Sequence, residues 1–212
     1  MLYDLIFPST SKELQETTCV IAASVFDRNE LKSFGVADTA YDFNPAFCDM
    51  NEFDKLFALW SSPAYLVDFY EENASYFEDE YWTGITVTRF VFDVRKSVPH
   101  IKRSFQQAIE TGTVSDIANP LEASDEQMRS YKSIRVKFKE GSILNRFAFR
   151  IYAIEVEENK CYVITGGTIK IVWTMKEAEN TKVELRKIHF VYHELQTNHV
   201  DTKDSFVDYL LK

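Results

Sequence analysis

Ser133-Ile-Arg-Val-Lys-Phe-Lys139, Phe147-Ala-Phe-Arg-Ile-Tyr-Ala-Ile-Glu155 and Cys161-Tyr-Val-Ile-Thr165 decide how this chain is read. In the first run Ile134, Val136 and Phe138 alternate with Arg135, Lys137 and Lys139, the period of two that sends successive side chains to opposite faces of a strand. In the second, Arg150 and Tyr152 share a face, with Phe149 and Ile151 on the other. The third continues past Gly166-Gly167 as Thr168–Trp173, where Lys170 stands opposite Ile169 and Ile171. An antiparallel meander of these runs gathers several cations on one sheet face. Strands that face water ordinarily mix their charges, so a basic face points to a polyanion.

On the N-terminal side the period becomes helical. Phe90, Val94 and Val98, then Ile101, Phe105 and Ile109, predict a helix pair over Thr88–Ser97 and His100–Thr111, broken at Val98-Pro99 and closed by Gly112. After the meander, Thr181-x-x-Glu184 reads as a capping box for a helix to about Leu195, with Leu185, Ile188, Tyr192 and Leu195 as its seam. A short last helix, Lys203–Lys212, carries Phe206, Tyr209 and Leu210. Toward the N-terminus, Leu2–Phe7 and Thr18–Ala22 read as strands and Ala37–Cys48 as a loop. Phe53, Leu56, Phe57 and Trp60 have helical spacing and read, with Phe69, as core. Ser62-Pro63 restarts the chain as an N-cap followed by Pro at the first helical position.

Charge divides the chain. Through Thr88 there are 4 Lys and Arg against 16 Asp and Glu, a net of −12; from Arg89 onward there are 20 against 17, a net of +3, giving −9 overall. Of the 31 aromatic residues, 17 precede residue 83. The expectation is an acidic, aromatic-rich helical region at 1–84 and an α+β domain at 85–212, in which an antiparallel meander packs on a helix pair. The longest apolar run, Cys19–Phe26, is too short to span a bilayer, and Met1-Leu-Tyr-Asp4 lacks the basic start of a signal peptide. No membrane partner is expected. Cys19, Cys48 and Cys161 are odd in number and without paired spacing, so they read as reduced thiols of a cytoplasmic protein.

The order of helix pair, basic meander and helix from Thr88 to about Leu195 resembles the RelE/HigB toxin superfamily. The resemblance rests on Lys132-Ser-Ile-Arg-Val-Lys-Phe-Lys139, Phe149-Arg-Ile-Tyr-Ala-Ile154 and Cys161-Tyr-Val-Ile-Thr-Gly-Gly-Thr-Ile-Lys170, and covers about half the chain. It implies a RelE-like fold and an endoribonuclease of a toxin–antitoxin system, acting on mRNA or at the ribosome and restrained by an antitoxin protein; the acidic half of the chain is the other candidate restraint. By position the resemblance assigns catalysis to Arg135, Lys137, Arg150 and Lys170. Lys132, Lys139 and Tyr152 on the same strands are expected to contact RNA, and the flank of Lys182, Arg186 and His189 on the last long helix to extend that face. Cleavage of this kind activates a 2′-hydroxyl against the neighbouring phosphate, and clustered cations stabilise the charge that develops. A Lys crowded by like charges loses its proton more readily and serves as a base. No cofactor is implied.

The apolar Ile171-Val-Trp173 after Lys170 and the acidic region in front depart from the family pattern. They imply the alternative, a non-catalytic protein-interaction module on a degenerate RelE-like scaffold. His189 and His193 have a metal-compatible i, i+4 spacing, but Lys182 and Arg186 on the same flank repel a cation, so no metal is expected. Gly166-Gly167 does not open a helix and is no phosphate loop, and no DNA-specific motif occurs.

Overall fold

A computed structural model describes residues 2–8, 13–14, 17–37, 41–78, 82, 84–121, 130–134, 148–171 and 178–211. The strands are β1 (Leu2–Phe7), β2 (Val20–Val25), β3 (Ala118–Pro120), β4 (Tyr131–Ile134), β5 (Ala148–Glu157) and β6 (Cys161–Lys170). The helices are α1 (Arg28–Ser33), α2 (Glu52–Ser61), α3 (Pro63–Glu72), α4 (Ala74–Phe77), α5 (Val87–Glu110), α6 (Val114–Ile117), α7 (Glu179–Thr197) and α8 (Lys203–Leu210). The class is mixed α+β.

One sheet runs in the order β1-β2-β6-β5-β4-β3, antiparallel throughout except for the parallel pair β2–β6. The expected meander is present as β4-β5-β6. Val20, Ile21, Ala22 and Ala23 of β2 are all buried, which suits a β-branched run inside a sheet covered on both faces. On one face Ile21, Phe149, Ile151 and Ile164 pack with Phe53, Phe57, Trp60, Phe69, Phe90 and Phe105 of the helices. On the other, Val20, Tyr152, Ile154 and Val163 pack with Ile188, Val191, Leu195 and Phe206. Burying a side chain of this size contributes about 1.5–3 kcal/mol, so both helical layers hold the sheet.

Two expectations are corrected here. Strands from both sides of residue 84 share the sheet, and the tilted rings of Phe53 and Phe105 meet with centroids 5.2 Å apart, so the regions 1–84 and 85–212 contribute to common cores. The expected helix pair is one continuous helix, α5, with Pro99 inside it. Its buried stripe runs through Val94, Val98, Ile101 and Phe105, so packing on both sides of Pro99 outweighs the missing backbone bond.

Other local signals act as read. Ser62 accepts from the Tyr65 N–H ahead of Pro63, and Gly112 follows α5 at φ +67°. Thr181 is not a cap. The N-cap of α7 is Ala178, and the Thr181 hydroxyl donates to the Ala178 carbonyl at 2.8 Å. The helix thereby starts earlier and turns Glu184 inward.

Candidate functional site

Two i, i+3 charge pairs on different helices build the most concentrated chemistry among the described residues. Glu52 and Lys55 stand on α2, Glu184 and Lys187 on α7, and all four are buried. Lys187 Nζ donates to Glu52 Oε2 at 2.6 Å and to Glu184 Oε1 at 2.9 Å. Lys55 Nζ donates to Glu52 Oε1 at 2.8 Å and lies 3.5 Å from Asp42.

The cluster sits beside a segment of β6 without side chains. A Cβ on Gly166 would lie 2.0 Å from Glu184 Oε2, and one on Gly167 would lie 2.8 Å from Leu56 of α2. The two glycines therefore face α7 and α2 respectively and let both helices approach. A cleft of about 470 Å³ opens at this point, bounded among others by Tyr41, Tyr65, Asp68, Thr168, Asn180 and Glu184.

Burial pushes the Glu184 carboxyl up to about 7; Glu52 and Asp42 add to the rise, and Lys187 opposes it. For Glu52 burial also disfavours charge, but Lys187 and Lys55 outweigh it and hold the carboxyl below its ordinary range. Burial opposes the charge on Lys187 too, yet Glu184 and Glu52 overcome it and keep the ammonium protonated. Glu184 Oε2 is buried and has no hydrogen-bond partner among the described residues. A carboxyl that changes charge near neutral pH beside a fixed ammonium can take up or release a proton in this cleft.

The residues assigned from sequence fall elsewhere. Arg150 pairs with Thr168 in the ladder and Ala148 with Lys170, so Arg150 and Lys170 are diagonal neighbours on one face. Tyr152 shares that face, as expected, but is 1% exposed beneath α7 and has no surface to offer an RNA. Lys132 points to the opposite face and pairs with Glu155 at 2.9 Å. Lys182 lies 3.3 Å from Glu179, and Arg186 bonds Glu179 and the Phe34 carbonyl. His189 Nδ1 and the Tyr131 hydroxyl are 2.9 Å apart, and burial, with His193 next, lowers its affinity for a proton. At neutral pH it adds no cation to the flank. Arg135, Lys137 and Lys139 lie outside the described residues.

In sequence the Glu52/Lys55 and Glu184/Lys187 pairs are indistinguishable from the i, i+3 pairs usual on solvated helices. Their signal was the pair of glycines, which clears space for them. Among the described residues, no group of His, Cys, Asp and Glu is arranged to hold a metal ion, and no helix is long and apolar enough to cross a membrane. No family model matches the chain, and no curated protein or solved structure matches it either.

Proposed function

We propose that this chain is a non-catalytic interaction protein built on a RelE/HigB-like scaffold. One observation carries the reading. On the face that the resemblance would give to RNA, α7 covers Tyr131, Tyr152 and Ile154 with Ile188, Val191 and Leu195. The Lys187–Glu52 bond ties this helix to α2, so lifting it would strand buried charges. The order of α5, the β4-β5-β6 meander and α7 supports the scaffold. The carboxylate partners of Lys132, Lys182 and Arg186 support the loss of chemistry.

A second reading, an mRNA endoribonuclease restrained by an antitoxin, is favoured by Arg150 and Lys170 sharing one face as diagonal neighbours. Incubation of the purified chain with mRNA, alone and with ribosomes, decides between them. The non-catalytic reading expects intact RNA and normal growth on induced expression. Cleavage that Arg150→Ala abolishes while the melting temperature holds would overturn it and establish the second.

A further inference from the structure

The outer face of α5 is rich in cations. The helix carries five Lys and Arg against two acids, a net of +3, which leaves −12 for the remainder of the chain. Arg89, Phe92, Arg95, Lys96 and Arg103 are exposed and fall on one side, opposite Phe90, Val94, Ile101 and Phe105.

A solvated helix face ordinarily sets an acid three or four positions from each cation. Arg95, Lys102 and Arg103 have none at those positions. Asp93, the one acid within that reach of Lys96, is 1% exposed and accepts from Arg89 Nε at 2.5 Å. Phe92 is 58% exposed and stands between Arg89 and Lys96, each 6.0 Å from its ring centroid. An exposed ring beside Lys96, on a face where Arg95 and Arg103 lack an acid at helical spacing, is a stacking platform beside phosphate-binding groups, the combination by which single strands are held.

We propose that the outer face of α5 binds single-stranded nucleic acid, with Arg95, Lys96 and Arg103 on phosphates and Phe92 under a base. Arg89 to Arg103 spans about 21 Å of helix axis, in keeping with the shortest strand sites of about 4 nucleotides. The surface lies across the sheet from Arg150 and Lys170, because α5 packs on the face of Phe149 and Ile151. The inference names a partner for the binding protein proposed above and rests on that reading only in taking the chain to be one.

The test is fluorescence anisotropy of the full chain with labelled oligouridylate and oligothymidylate, over a salt titration. Three phosphate contacts give a slope of log K against log salt of about −2. Arg95→Glu/Lys96→Glu/Arg103→Glu should lower affinity at least ~10-fold, and Phe92→Ala by roughly 10-fold without changing the salt slope. Lys96→Ala/Arg103→Ala, a milder change at exposed positions, should fall between wild type and the triple reversal and keep the native melting temperature.

Affinity unchanged by the triple reversal, or lost on Arg150→Ala instead, would overturn the assignment. So would binding to phosphatidylserine vesicles that equals strand binding and ignores Phe92→Ala. RNA cleavage, by contrast, would sink the non-catalytic reading and leave this surface standing.

Discussion

Lys187 of α7 donates to Glu52 of α2 at 2.6 Å across 135 positions of sequence, and both side chains are almost wholly removed from water. A bond of this kind adds little net stability when both partners are present, because desolvation opposes the attraction. Its removal on one side is another matter. Lys187→Met leaves Glu52 with Lys55 and takes the Glu184 Oε1 donor away. We expect a loss of about 3–5 kcal/mol, seen as a melting temperature lower by roughly 10 °C. Glu184→Gln/Lys187→Met should recover part of that loss, since the carboxyl left without its donor can no longer ionise. A single variant that melts within a degree or two of wild type would show that α7 is held by packing alone.

Glu184 makes stability depend on pH. Its carboxyl titrates at about 7 in the fold against 4.5 ordinarily, so the folded chain holds a proton that the unfolded chain releases. The associated stability is fully present below about pH 4.5 and is lost as pH rises through 7. Glu184→Gln removes this dependence. Relative to wild type it should gain on the order of 1–3 kcal/mol between pH 5 and pH 8, read from urea midpoints at each pH. A difference that stays flat across that window would mean that Glu184 is ionised throughout.

Much of the local structure was legible, because it depends on short-range chemistry. Leu2–Phe7 is a strand, Ser62-Pro63 caps a helix, and Phe53, Phe57, Trp60 and Phe69 are core as their spacing indicated. What escaped was decided by partners distant in sequence. The period of β5 put Arg150 and Tyr152 on one face, but nothing near them indicated that Ile188, Val191 and Leu195 would close over Tyr152. Thr181 and Glu184 matched a capping box whose Glu was needed by Lys187. The spacing of Arg95, Lys102 and Arg103 shows cations without a helical acid partner, whereas the apolar stripe of α5 says only which side is buried.

Pro99 broke the expected helix pair on paper and does not break α5. It is exposed, so its replacement opens no cavity. Pro99→Ala restores a backbone donor toward the Arg95 carbonyl and removes the ring's clash with that turn, while freeing the unfolded chain somewhat. The first effect is the larger in a helix interior. We expect a gain of about 1–2 kcal/mol and a melting temperature higher by a few degrees. A fall instead would mean that the packing of α5 on the sheet needs the bend that Pro99 introduces.

Gly166 lies at φ +148°, where other residues are strained, and its missing side chain leaves room for two charged groups. An alanine Cβ there would come within 2.0 Å of Glu184 Oε2 and 2.8 Å of Lys187 Nζ. Neither group can retreat cheaply, since both are buried and Lys187 is bonded to Glu52 and Glu184. Gly166→Ala should therefore cost about 3 kcal/mol or more, combining backbone strain with displacement of the ion cluster. Shortening the obstacle separates the two contributions. Gly166→Ala/Glu184→Ala should be less destabilised than the sum of its single variants, because the clash with Oε2 is removed, and what remains reports the strain at φ +148°. Strict additivity in chemical denaturation would mean that Gly166 is required by the backbone alone, and not by the approach of α7 to β6.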